Sequence, residues 1–110
     1  MNNIFVHLFH IIFVGGLFLY IGMKQKNMPA YMYNVILTIG IIILFYHGYK
    51  GYLKFTSGKN YWVNSFHILV VAPLLIYIGY EKDNTPRHYF EYMLMLAFAA
   101  ICYHAYYMFV

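Results

Sequence analysis

Five histidines interrupt otherwise apolar runs: His7 and His10 in "FVHLFHIIFVGG", His47 in "LFYHGY", His67 in "SFHILVVAP" and His104 in "CYHAYY". Imidazole can ligate a metal through either ring nitrogen, and it changes charge close to neutral pH. Inside a hydrocarbon environment it is a functional candidate by default. Four of the five are paired by spacing, since His67 follows His10 by 57 residues and His104 follows His47 by the same interval. Two related imidazoles from facing helices could supply both axial ligands of a haem b iron, or part of a histidine-only zinc or copper site. His10, His67, His47 and His104 are therefore the candidate cofactor or metal ligands, with His10 and His67 the first pair and His47 and His104 the second. His7 is the weaker candidate, because the residue 57 positions later is Asn64. A cofactor-free reading stands beside this one: the same rings can hydrogen-bond a tyrosine or a backbone carbonyl and tie helices together. Tyr46, Tyr103, Tyr49 and Tyr106 flank the second pair and are the supporting partners.

The rest of the chain determines what must position these rings. It has 110 residues, of which 64% are hydrophobic and 9% charged, against about 25% charged in an ordinary soluble domain. A soluble domain of this size buries only about 60–70% of the surface its unfolded chain exposes, so the remaining apolar surface must meet lipid. The composition predicts one all-α integral membrane domain whose main partner is the bilayer. The formal charge of +4 is scattered, and no basic run suits a nucleic acid. Cys102 is the only cysteine, which excludes an intramolecular disulfide; it reads as a packed thiol. The amino-terminal run lacks a basic n-region and a small-residue cleavage pattern, so it reads as a retained span. No nucleophile–histidine–carboxylate set, phosphate loop or zinc-finger spacing is present. A redox role would therefore require a bound cofactor. Glu91 is the one carboxylate within a span, which argues against a carboxylate-bridged di-iron centre.

Hydropathy predicts four membrane-spanning helices over about Ile4–Met23, Pro29–Leu53, Tyr61–Tyr80 and Pro86–Val110, each near or above the ~20 residues that cross a bilayer. "KQKN" and "EKDN" are polar turns, each followed by a proline suited to the first turn of a helix. "KFTSGKN" is a loop with Gly58 as its breaker.

A shift of 57 residues lays residues 1–53 on 58–110 without a gap, and sixteen of the fifty-three pairs are identical. "FHIIFVGGLFLYIG" falls on "FHILVVAPLLIYIG", and "YHGY" on "YHAY". The sequence thus predicts a single transmembrane domain, 1–110, made of two tandem helical hairpins: repeat 1 at 1–53, a linker at 54–57 and repeat 2 at 58–110. Two copies with two spans each imply an up-down four-helix bundle with a pseudo-two-fold axis along the membrane normal. The N- and C-termini would lie on the same side. Asn3, Val6, His10, Val14, Leu17 and Ile21 are all retained in the second copy and form one helical stripe, expected to face the helix bundle. Small residues at Gly15, Gly16, Gly40, Ala72 and Ala97 would permit close approach. Counting from the turns at ~1.5 Å per residue, His47 is expected roughly 8–9 Å nearer the terminal face than His10.

Three functional classes follow. One is a membrane protein whose paired histidines bind haem or a transition metal, with electron transfer as its use. The second is a structural membrane protein, for example of a viral envelope or inner virion membrane, with histidines as interhelical hydrogen-bonding groups. The third is a channel or transporter, which would need a homo-oligomer because a four-helix bundle leaves little room for a pore.

Overall fold

The computed structural model describes residues 3–110, so the first two positions of repeat 1 lie outside the described residues. Over the described residues the chain is all-α, with four helices: α1 (Ile4–Asn27), α2 (Ala30–Thr56), α3 (Trp62–Asn84) and α4 (Arg87–Phe109). All four are long and apolar enough to cross a membrane. The protein is thus a multi-pass integral membrane protein, and an even number of spans is consistent with both ends on one side.

Local chemistry sets the helix ends. The Asn3 side chain accepts from the backbone N–H groups of Phe5 and Val6 at 3.1 and 3.3 Å, satisfying donors that the first turn leaves orphaned. The "KQKN" and "EKDN" turns remain wound, as 3-10 turns at Gln25–Asn27 and Lys82–Asn84. That winding carries α1 and α3 a few residues past the limits expected from hydropathy. Pro29 and Pro86 stand just before α2 and α4, with ψ of 148° and 144°, not within their first turns. Proline also drives the residue before it out of the helical region, so α1 and α3 must end here. Gln25 and Lys82 take φ of 54° and 57°, a left-handed backbone that few non-glycine residues adopt.

The helices fall into two compact units: α1 with α4, and α2 with α3. Each unit therefore draws one helix from each sequence repeat. Both helix pairs are antiparallel. In the α1/α4 unit Gly15 lies against Ile101 and Gly22 against Leu94; in the α2/α3 unit Gly79 lies against Leu37, Gly40 against Leu75 and Ile76, and Gly51 against Asn64. Lipid is as apolar as these side chains, so helix association depends on close packing and hydrogen bonds rather than on water exclusion. Glycine supplies the close packing. A Cβ on Gly22 would come within 2.5 Å of Leu94, and one on Gly79 within 2.7 Å of the Leu37 backbone. Gly16, expected to act similarly, meets no neighbour. The retained stripe becomes more buried toward the turns: Val6 is exposed, His10, Val14 and Leu17 are half-buried, and Ile21 and its counterpart Ile78 are fully buried.

α1 and α3 are each interrupted once, by a π-helical turn at His10–Val14 and at His67–Val71. In both, the backbone N–H that ends the turn, of Gly15 or Ala72, reaches five residues back to the carbonyl of the histidine. The local sequence explains the widening. Branched residues fill both turns and crowd the α-helix. Pro73, which follows the second, has no N–H to donate and would clash with the carbonyl four residues back.

Candidate functional site

The histidines are concentrated around these π turns, in one cluster per unit. In the α1/α4 unit, the rings of His10 and His104 stack with centroids 4.3 Å apart and planes 21° from parallel. His7, one turn before His10, brings its Nδ1 to 2.9 Å from Nδ1 of His104. In the α2/α3 unit, His67 and His47 stack at 4.0 Å and 10°. There the Asn64 side-chain amide lies one turn before His67 and donates to Nδ1 of His47 at 3.0 Å.

The rings that stack are His10 with His104 and His67 with His47, so each stack joins a histidine of the first candidate pair to one of the second. Side chains on a helix lean toward its N-terminus. In antiparallel helices such leans run in opposite directions, so rings on Cα atoms at different levels can be brought together.

The hydrogen bonds fix tautomers. Nδ1 of His10 lies 2.8 Å from the Val6 carbonyl oxygen, and Nδ1 of His67 lies 2.7 Å from that of Val63. A carbonyl only accepts, so both nitrogens carry the hydrogen, and each neutral ring has its lone pair on Nε2. In the other ring of the second unit, Nδ1 of His47 accepts from Asn64. Between His7 and His104, one Nδ1 donates and the other accepts.

What the clusters can do chemically follows from ring orientation. Lone pairs lie in the plane of an imidazole. Two nearly parallel stacked rings direct them side by side, and neither a chelate nor a pair of axial ligands on opposite faces of one haem is formed by such a stack. Among the described residues, no group of three or more His, Cys, Asp or Glu side chains is arranged to hold a metal ion.

The remaining candidates are placed as follows. Tyr46 and Tyr103 stand edge-on to the histidine that follows each in sequence, at 5.2 and 5.1 Å. Tyr46, Tyr49 and Tyr106 are exposed on the helix surface, where lipid would meet them. Cys102 is exposed and not packed as expected, because it is rotated away from the α4 face that carries Ala97, Ile101 and His104. Glu91 forms an i,i+4 ion pair with Arg87 at 3.6 Å, both side chains largely exposed, a contact of small energetic value. His88 lies among Tyr89 and Tyr92, apart from either cluster in the sequence.

Asn64 is the functional residue that sequence reasoning passed over. It is 4% exposed, its Oδ1 has no hydrogen-bond partner, and its Cβ faces Gly51, 3.2 Å from where a Cβ on that glycine would stand. Its correspondence to His7 was the available clue. No protein-family model, curated protein or solved structure matches the chain.

Proposed function

We propose that this is a structural polytopic membrane protein, made by tandem duplication, whose histidines are interhelical bonding groups. The observation that carries this reading is that in each unit an imidazole stacks on one from the facing helix, and a second contact, His7 with His104 or Asn64 with His47, also crosses between the helices. Imidazole stacking and hydrogen bonding supply directional attraction where lipid removes the hydrophobic drive. Duplication is supported by features that recur 57 residues apart: the π turns, the positive φ at Gln25 and Lys82, and the Gly22/Leu94 and Gly79/Leu37 contacts. A pseudo-two-fold relation between the copies, with its axis along the membrane normal, belongs to the same proposal.

A double-mutant cycle tests it. His47→Ala, His67→Ala and the double variant, unfolded in mixed micelles, should give a coupling of about 0.5–1.5 kcal/mol, typical of a stacked ring pair. Strict additivity would contradict the proposal.

One observation favours a second reading, ligand binding. A ligating histidine ordinarily donates its other ring N–H to a carbonyl or carboxylate, which orients it and raises its basicity. His10 and His67 both do so. Haem or a transition metal would then bind at Nε2 once the stacks open.

A further inference from the structure

We infer that His7 and His104 form a proton-operated latch that the α2/α3 unit lacks. The inference rests on the reading of these imidazoles as bonding groups and concerns the one chemical difference between the two clusters. An Nδ1···Nδ1 contact of 2.9 Å holds one hydrogen. With both rings neutral, one tautomer donates and the other accepts. A first added proton goes to the donor ring, and the bond persists as imidazolium to imidazole, strengthened by its charge. A second added proton leaves two N–H groups facing each other on two cations. The bond is then lost, and like charges adjoin in an apolar span.

The second unit meets the same challenge differently. Its amide offers a donor and an acceptor on one carbon. Neutral His47 accepts from Nδ2 of Asn64. A protonated His47 would instead donate to Oδ1, the buried acceptor that now has no partner, after rotation of the amide. Asn64 therefore serves either protonation state, whereas His7 serves only the states in which the pair carries at most one extra proton.

The titratable groups around the latch do not offset a second charge. On α1 the neighbour is His10, itself stacked on His104. On α4 they are Tyr103, edge-on to His104, and Tyr107, in ring contact with Tyr103. Glu91 is thirteen positions before His104, about 20 Å along the helix. Arg87 lies farther along α4, and Lys24 and Lys26 stand at the opposite end of α1. The sign follows from the bond itself: an Nδ1–H···Nδ1 contact needs one ring with a free lone pair, so acid that protonates both rings removes it. Imidazole as a side-chain type changes charge between about pH 5 and 8.

Amide hydrogen exchange of the full chain in micelles at pH 8 and pH 5, corrected for intrinsic rates, tests the latch. Residues 5–14 should lose protection by about tenfold or more in acid, the equivalent of one charge-assisted hydrogen bond, while 62–71 keep theirs. His7→Asn, which transplants the amide of the other unit, should remove the acid response. Equal loss in both segments, or an unchanged response in His7→Asn, would overturn the latch. If His7→Asn does not fold, nitrogen-15 spectra of histidine in the unaltered protein decide the point. Expected at pH 5 is loss of the Nδ1–Nδ1 coupling, and its persistence at pH 5 would contradict the latch. His104→Ala at pH 8 separates the two claims. Opening of 5–14 there without an acid response in the parent protein sinks the latch alone, whereas no opening sinks the bonding reading as well.

Discussion

The two helix pairs use the same skeleton with different details, and the differences separate what packs the protein from what could make it respond. Both have a π turn at a histidine, a stacked imidazole from the opposite helix and a glycine–leucine contact nearer the turns. The α2/α3 unit is the tighter and more polar inside. Its glycine meets backbone where the other meets side chain, its third cluster member is a buried amide, and it encloses Tyr33 where the α1/α4 unit encloses Phe90. The two pairs thus share their geometry at a few shape-determining positions and differ in their polar partners.

The largest expected effect breaks the glycine contacts. Gly79→Ala should destabilise by about 3 kcal/mol, because the new Cβ would lie 2.6–2.7 Å from the Leu37 Cβ, Cα and N atoms, and backbone cannot step aside. Gly22→Ala should cost less, about 1–2 kcal/mol, since its closest clashes, at 2.5 and 2.6 Å, are with Cγ and Cδ2 of the Leu94 side chain, and the backbone N of Leu94 is farther, at 3.1 Å. Unfolding both variants in mixed micelles gives the comparison, and equal losses would mean that the two contacts are not built differently. A smaller effect of opposite sign is expected at Tyr33. Its hydroxyl is buried without a hydrogen-bond partner, and an orphaned hydroxyl costs about 1 kcal/mol or more. Tyr33→Phe, which copies Phe90, should therefore raise stability by about 1 kcal/mol in the same assay. A loss would show that the hydroxyl has a partner, for example a water.

Much of this architecture was legible in the sequence. Composition required lipid, hydropathy located four spans, and the retained stripe from Val6 to Ile21 pointed to the face whose turn end is most buried. His10, His47, His67 and His104 all stand in the clusters. Their partners could not be read, for two physical reasons. Hydropathy orders the spans along the chain without saying which of them pair, and each compact unit takes one helix from each half of the sequence. Helical rise gives the level of a Cα atom, but not the lean of its side chain or the local widening of a π turn. Gly22 and Gly79 were visible as the shared "YIG", yet their role depends on Leu94 and Leu37, fifty or more positions away in one case and on the opposite helix in both. Asn64 entered the sequence reading only as the counterpart of His7, because one sequence position does not reveal that an amide can bond the same ring.

The most direct test of the central claim is an absorption spectrum with elemental analysis of protein purified from cells supplied with haem, zinc and copper. If the histidines are bonding groups satisfied within the helices, the sample is colourless and carries no stoichiometric metal, and His10→Ala lowers its stability without changing the spectrum. A Soret band, or one equivalent of zinc or copper, that disappears in His10→Ala or His67→Ala would contradict that account and make these imidazoles ligands.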